Sequence, residues 1–447
     1  MTEDRLITVA IDDTDSQYGG CTTHLTGILL SELRGKARLA DYPLLVRLNP
    51  NIPWKTRGNA ATALRLLYHG EPDEILELAW QLAQEYTTPR PPLPNKQPGV
   101  VVAEGPVWRS EALRSLYLQA LTDVVTFDVA LRALKSVSAT FRGGRGVIGA
   151  AAALAALAPQ DPYTFELTFY RLPENWGTDR CVDFTKAFSV DSRTQAAFNN
   201  LDLEDRVVTA APGGPDPVLA GFRGLDPDEL WAYSEALCER PHFAVLFKSN
   251  QHTGVHLRPG RPAPYRSILV RGIISSTPRS LPGGHAVVTV RTEFGDLDVV
   301  AFRETGPLVD ALKMLRPGDE VEVGGGVRPY SPAGRVTIAV ELMRVLKVSR
   351  QTLRVPPRCP VDGSTMESVG RGKGYRCPRC GLRLPEDAAI HVEIPRPLMP
   401  GLYLPKEGRL RHLTPEGRPL PVSNALAEGL EVPDVLRVFS NPYEPPG

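Results

Sequence analysis

The sequence predicts a multidomain chain of mixed α/β and α+β class, ending in a small β-barrel and a cysteine-bearing hairpin. Three observations predict it. The chain has 447 residues, too many for one ordinary domain and enough for three or four. Apolar runs alternate between strand and helix periods up to about residue 160, the pattern of an α/β layered unit. Beyond residue 267 short strands follow one another, and three of the six cysteines gather after residue 350.

Leu6–Ile11 reads as a buried strand, and Thr22–Leu33 as a helix with Leu25, Ile28, Leu29 and Leu33 on one face. Leu44–Leu48 is a second strand running into the loop Asn49–Asn59. Helices are expected over Ala60–Leu67, Glu74–Glu85, Glu111–Leu121 and Phe127–Leu134, with a strand at Gly99–Ala103 and a proline-rich loop at Pro89–Pro98. A glycine-rich stretch, Phe141–Gly149, opens an alanine-rich helix to Ala158. A smaller α+β unit follows, with strands Tyr163–Tyr170, Val218–Phe222 and Phe243–Phe247 and a helix Pro227–Cys238. Five strands then appear, Ile268–Ser275, Ala286–Thr292, Asp296–Ala301, Glu320–Gly324 and Thr337–Leu346, with the helix Pro307–Leu315 before the fourth. That element order is the order of an OB-fold.

Bulk charge selects no partner, because 51 basic residues balance 51 acidic ones. Between about residues 344 and 420, however, basic residues outnumber acidic ones roughly two to one, the expected electrostatic footprint for RNA. No apolar run is long enough to span a membrane, and the polar start leads straight into a strand, so the expectation is a cytoplasmic protein without a signal peptide.

Chemistry concentrates in a few places. Asp12, Asp13 and Asp15 sit on one turn after a strand, where carboxylates suit Mg²⁺. Cys21, Thr22 and Thr23 open the next helix, whose free N–H groups suit an anion. A surface Asx-turn cap is the other reading of the same run. Lys55 and Arg57, two apart in an extended loop, project to one side with Asn59 and can clamp phosphates, or stand as solvated charges. Trp54 is either a base-stacking ring or a core residue. Gly143, Gly144, Arg145 and Gly146 resemble a phosphate-cradling turn but lack the Gly-Lys-Ser/Thr element of a Walker A motif. Cys359 and Asp362 face Cys377 and Cys380 in knuckle spacing, a zinc ribbon in which one carboxylate replaces a thiolate, or else a metal-free hairpin whose packing has replaced the ion. Aspartate is the harder ligand, so weaker zinc retention is expected. His252 and His256 are read as members of a satisfied polar turn.

The long motifs Ile11–His24, Arg47–Ala61, Gly143–Ala150, Tyr163–Arg171, Pro215–Gly224 and Arg411–Thr414, in this order, resemble those of the archaeal tRNA-isoleucine 2-agmatinylcytidine synthetases over nearly the whole chain. The resemblance implies four parts: an ATP-binding kinase-like catalytic domain (1–160), a ferredoxin-like domain (161–258), a tRNA-binding OB-fold (259–350), and a zinc ribbon with a C-terminal tail (351–447). It implies ATP-dependent joining of agmatine to C2 of the wobble cytidine of the AUA-decoding isoleucine tRNA, with the C2 oxygen first phosphorylated and then displaced by the agmatine amine. ATP, Mg²⁺ and a structural Zn²⁺ are the implied cofactors, and the tRNA and agmatine the partners. Thr22 matches the family's phosphorylated threonine, and Asp12, Asp13 and Asp15 the metal-bearing turn. Glu166 and Tyr170 are candidates to hold cationic agmatine. Two positions depart from the family pattern: Asp362 stands in place of a cysteine and His252 in place of a small residue. A phosphotransferase with an appended RNA module, or a non-catalytic RNA-binding protein, are the alternatives. The first explains Asp12–Thr22 but not the barrel and ribbon together.

Overall fold

The structure is a computed structural model that describes residues 4–15, 19–55, 58–88, 96–329, 334–427 and 429–439. The apolar strand β1 (Arg5–Asp12) is flanked by β4 (Ala60–Tyr68) and β5 (Gly99–Glu104), both antiparallel to it. β2 (Ala37–Leu39) and β3 (Leu44–Arg47) pair with β4, and β6 (Thr140–Gly143) with β5. α1 (Thr22–Leu33) and α2 (Pro72–Thr87) cover one face of this sheet. α3 (Glu111–Thr122), α4 (Phe127–Lys135) and α5 (Val147–Leu154) cover the other.

The segment 60–67, expected to be helical, is the strand β4. Its alanines and leucines favour a helix by propensity, but it lies at the centre of the sheet, where both faces are buried. Ala61 and Ala63 pack on the alanine-rich α5, and Leu64 and Leu66 on the α1–α2 side. Arg65, fully buried, donates to the carbonyls of Ala156 and Leu157 beyond α5 and pairs with Asp41 at 2.8 Å.

The second unit continues the same sheet. β7 (Thr164–Arg171) lies between β10 (Val218–Gly224) and β11 (Pro241–Ser249), and β11 runs parallel beside β3, with Lys248 opposite Leu44. The sheet order is β10-β7-β11-β3-β4-β1-β5-β6. α6 (Phe184–Arg193), absent from the expected elements, buries only Ala187 and Val190, too little for a visible periodicity. β8 (Leu201–Asp202) and β9 (Val207–Val208) form a small hairpin. The expected helix 227–238 begins as α7 (Pro227–Leu230) and continues as a 3₁₀ stretch. Cys181 and Cys238 form a disulfide that the cysteine spacing does not announce.

The barrel is built from β12 (Ser267–Ile274), the short β13 (Arg279–Ser280), β14 (Ala286–Thr292), β15 (Gly295–Ala301), β16 (Glu320–Val327) and β17 (Thr337–Lys347). The parallel β15–β17 pair closes it. α8 (Pro307–Met314) packs its buried Leu308, Val309, Ala311 and Leu312 into the barrel core. The ribbon follows as a pair, β18 (Thr352–Val355) with β22 (Ile390–Glu393), and a three-stranded sheet of β19 (Glu367–Ser368), β20 (Tyr375–Arg376) and β21 (Arg383–Leu384).

The tail does not stay with the ribbon. β23 (Gly401–Tyr403) joins β17, Leu413 enters the core of the first unit, and α9 (Val432–Val435) and β24 (Leu436–Val438) pack against α1 and β11. Among the described residues no helix is long and apolar enough to cross a membrane.

Candidate active site

A cavity of about 400 Å³ opens between the first two units, and the tail contributes His412 to its wall. It gathers Asp12, Asp13, Asp15, Cys21, Thr22, Thr23, Lys55, Asn59, Arg145, Gly146 and Glu166, residues spread over more than 150 positions of sequence. Arg57 lies outside the described residues.

At the end of β1 the chain turns sharply. Asp13 takes a left-handed φ of 59° and donates its amide to Asp12 Oδ1 at 2.7 Å, a local bond that lets aspartate adopt this conformation. Burial raises the carboxyl pKa of Asp12, with Asp13 and Asp15 adding repulsion; burial also raises that of Asp13, against the opposing pull of Arg145. Arg145 Nη2 meets Asp13 Oδ2 at 2.7 Å. Asp12, Asp13 and Asp15 line one cavity, with Arg145 paired to Asp13. They offer hard oxygen donors of the type a divalent cation takes, without converging into a ready-formed ligand cluster among the described residues.

α1 begins beside them. Thr14 Oγ1 donates to Thr22 Oγ1 at 3.0 Å, and Cys21 Sγ lies 3.0 Å from Thr23 Oγ1. The Cys21 amide donates to the Tyr86 hydroxyl at 3.0 Å and the Leu25 amide to Cys21 O at 3.1 Å, so the amides of Thr22 and Thr23, at the cavity wall, are those this helix start can offer an anion.

The glycine-rich turn behaves differently from expectation. The amides of Gly144 and Gly146 donate to the carbonyls of Pro98 and Gln97, and that of Arg145 to Gln97 Oε1. These N–H groups therefore do not cradle phosphate, and Gly143 and Gly144 do not line the cavity. The reason is the neighbouring segment 97–98, which pairs with the turn as it leaves β6. The glycines serve close approach instead. A Cβ on Gly146 would lie 2.5 Å from Asp12 O, and one on Gly149 would lie 1.8 Å from Asp12 Oδ2. Arg145 and Gly146 are the parts of this turn that reach the cavity, and Arg145 brings a charged side chain to it.

In the loop before β4, Asn59 has φ of 51° and donates Nδ2 to Asn49 O at 2.8 Å, so its amide closes the loop. Lys55 faces the cavity, and burial beside Arg411 lowers its ammonium pKa. Trp54 is 50% exposed and lines the cavity; it is not a core residue.

Glu166 is buried, with Arg47 Nη2 at 3.8 Å, Arg223 Nε at 3.6 Å and Thr168 Oγ1 at 3.1 Å. Burial alone would raise its pKa. Arg47 and Arg223, with hydrogen bonds from Gln251 and Thr168, hold it below the usual carboxylate range. Its charge is thus already matched by two guanidiniums. Tyr170, two residues beyond Thr168 in the same row, is fully buried against His24 and Phe243 and does not line the cavity. The structure moves it from substrate contact to the packing beneath α1.

Several lining residues escaped the reading of individual residues: Arg47, Gly149, Asp216, Arg223 and His412. Each stood inside a motif or beside one, but nothing local marks it as facing this cavity. His252 is satisfied as expected, donating Nδ1 to Thr414 O at 3.0 Å and accepting from Asn199 Nδ2 at 3.2 Å. His256 is buried against Glu341, 2.9 Å away in the barrel.

In the ribbon, ligand atoms of Cys359, Asp362, Cys377 and Cys380 all lie within 4.8 Å of one another. The amides of Arg379 and Cys380 donate to Cys377 Sγ at 3.4 Å, the way a knuckle stabilises a thiolate. Three sulfurs and one carboxylate fit a tetrahedral zinc site.

Comparison with known proteins matches these parts one by one. The TiaS TCKD domain matches residues 8–71, the TiaS FLD domain 144–256, an OB-fold nucleic acid binding domain 268–346 and the TiaS C-terminal zinc ribbon domain 356–398. The isoleucine-tRNA 2-agmatinylcytidine synthetase TiaS of Acidilobus saccharovorans is 59% identical over 437 residues, covering 98% of this chain and all of the relative. That of Thermofilum pendens is 38% identical, covering 94% and 98%. Among solved structures, apo TiaS (an isoleucine-tRNA agmatidine synthetase) aligns with a TM-score of 0.80 at 31% identity, covering 93% of this chain and 98% of that one. A complex of TiaS with its isoleucine tRNA, AMPCPP and agmatine aligns with a TM-score of 0.77 at 29% identity, covering 93% and 99%. The chain belongs to the TiaS family of isoleucine-tRNA 2-agmatinylcytidine synthetases.

Proposed function

We propose that this chain joins agmatine to C2 of the wobble cytidine of the AUA-decoding isoleucine tRNA with consumption of ATP, and that the cavity between its first two units is where the chemistry occurs. The observation that carries the assignment of the site is the meeting of the Asp12–Asp13–Asp15 turn, the start of α1 and the cation-bearing loop in one enclosure. The C2 oxygen of cytosine is a poor leaving group. Transfer of a phosphoryl group from ATP to that oxygen lets it depart as phosphate when the amine attacks.

Asp12, Asp13 and Asp15 would hold Mg²⁺, which supplies charge neutralisation for the triphosphate. Arg145 and Lys55 offer the remaining positive charge. Thr22 is the candidate phosphate acceptor: its oxygen accepts from Thr14, so its own proton is left to leave. Trp54 stands at the mouth as a stacking platform for a base that has left the anticodon stack. Glu166 is paired with Arg47 and Arg223, and Asp216 with Arg180 at 3.4 Å; both carboxylates line the cavity and are the candidates for the cationic end of agmatine. The barrel and the basic ribbon and tail hold the tRNA, with zinc on Cys359, Asp362, Cys377 and Cys380 fixing the ribbon. The cytoplasm is where such a substrate is found.

The test is mass spectrometry of the unmodified isoleucine tRNA after incubation with ATP and agmatine. A mass gain at the anticodon cytidine is expected only when all three are present. Asp12→Asn should abolish it and leave tRNA affinity intact. Phosphoryl transfer to agmatine without tRNA would replace the reading with a simple phosphotransferase.

A further inference from the structure

His412 comes from the tail, beyond both RNA-binding modules, and reaches the cavity. Its backbone is pinned: His412 O accepts from the His252 amide at 2.7 Å, and Leu413 O from the Gly254 amide at 3.0 Å. The imidazole is oriented by a relay whose hydrogen-bond directions are forced. Glu166 is an ionised acceptor, so the Gln251 group bonded to Glu166 Oε2 must be the Nε2 donor. That leaves Gln251 Oε1 to face His412 Nδ1 at 3.0 Å, and an amide oxygen only accepts. His412 therefore carries its proton on Nδ1 and presents the Nε2 lone pair. No hydrogen-bond partner for Nε2 exists among the described residues.

The space beside Nε2 is kept open by a glycine. A Cβ on Gly58 would lie 3.0 Å from both His412 Nε2 and Cδ2, and 2.7 Å from Arg47 Nη1. Arg47, burial, Arg223, His252 and Lys55 together keep the ring neutral, with its pKa well below the ordinary histidine range. Three of these cations, Arg47, Arg223 and Lys55, line the cavity where polyanionic substrates would dock, and phosphates beside them would strengthen the base. A carboxylate, an amide and an imidazole in series recreate the logic of an oriented general base.

We propose that His412 is the catalytic base that takes the proton from the attacking amine of agmatine. The inference rests on the reaction proposed above. The neutral amine nitrogen forms its bond to C2. The bond from C2 to the phosphorylated oxygen breaks, its electron pair leaving with phosphate. One amine proton passes to His412 Nε2 and then to the departing phosphate, restoring the neutral ring. Gln251 and Glu166 act as positioning residues that fix the tautomer.

The parent enzyme is assayed first by mass spectrometry of the isoleucine tRNA. Absence of agmatine incorporation there refutes the reaction and not the residue. His412→Asn keeps a donor toward Gln251 and removes Nε2. Its product formation should fall on the order of 10²- to 10⁴-fold with tRNA affinity unchanged. In His412→Ala, added imidazole should restore part of the rate. Turnover of His412→Asn within about threefold of the parent, or a loss in His412→Ala that imidazole does not relieve, overturns the proposal. Gly58→Ala reads the same point without altering His412. Its methyl group fills the space before Nε2 and should lower turnover at saturating agmatine; an unchanged rate also overturns the proposal.

Discussion

Gly149→Ala separates the stability of the fold from the geometry of its site. Gly149 sits inside α5, where alanine is favoured over glycine by about 1 kcal/mol of helix propensity. By propensity alone the variant is more stable. Its new Cβ, however, would stand 1.8 Å from Asp12 Oδ2, 2.8 Å from Asp12 Cγ and 3.2 Å from Leu48 Cδ1. Reaching ordinary contact at 3.4 Å requires the carboxylate oxygen or the helix to move by about 1.6 Å. α5 is packed against β1, β4 and β5 through buried alanines, so the carboxylate is the softer partner. Turning it disturbs the 2.7 Å bond from the Asp13 amide and displaces a carboxylate oxygen that lines the cavity. A misplacement of about 1 Å at a reacting centre costs on the order of 10²-fold, or about 3 kcal/mol of barrier. Agmatine incorporation at saturating ATP should therefore fall by about 10²-fold or more, with tRNA affinity and melting temperature held. Incorporation within about threefold of the parent would refute the claim that Asp12 is placed by the absence of a side chain at position 149.

Glu341 is held at about 2, because His256, Arg411 and Thr414 outweigh the burial that opposes ionisation. A carboxyl depressed from 4.5 contributes stability that is complete above pH 4.5 and lost as the pH falls through 2, on the order of 3 kcal/mol. Acid unfolding of Glu341→Gln should therefore be shallower over that window than that of the parent. Cys377→Ser should lower the zinc content read by elemental analysis and loosen the ribbon, with ATP binding in the first unit unaffected. Cys238→Ala opens a disulfide spanning 57 residues and should lower stability by about 2–4 kcal/mol under oxidising conditions, with no difference from the parent under full reduction.

The parts of this molecule that depend on neighbours in sequence were legible. The aspartate turn, the opening of α1, the barrel's strand order and the cysteine knuckles are local patterns, and local chemistry decides them. β4 was misread because alanine and leucine carry helix propensity, and only its place between β1 and β3 makes it a strand. The phosphate-cradling role of Gly143–Gly146 failed for a related reason: segment 97–98 takes up those amides, and no spacing rule foresees which strand edge lies alongside. Glu166 does stand at the cavity, but its pairing with Arg47 and Arg223 depends on the β3–β11 and β7–β10 seams, which join residues distant in sequence, such as Glu166 with Arg223 and Leu44 with Lys248. The Cys181–Cys238 bond and the return of His412 are contacts of the same long-range kind.

That return gives the chain order a physical consequence. The barrel is encoded between the second unit and the tail, yet the tail must reach back past it to complete the cavity. Arg411 donates to Asn51 Oδ1 at 3.0 Å, Asn51 Nδ2 donates to Ser267 Oγ at 2.8 Å, and Asn49 Nδ2 donates to Tyr265 O at 2.9 Å. Strand β16 presses on the same loop, since a Cβ on Gly326 would lie 2.2 Å from Asn51 Oδ1. Glu341 of the barrel holds Thr414 at 2.9 Å and His256 at 2.9 Å. The barrel, the tail and the Lys55-bearing loop are therefore one hydrogen-bonded body. Because these polar groups are buried or partly buried, breaking any single link leaves an unsatisfied group behind, at about 1–3 kcal/mol each. The barrel is thereby tied to the loop that carries Lys55 and Trp54 to the cavity. If, as proposed above, the barrel holds the tRNA and this wall meets its base, those links set the register between the two.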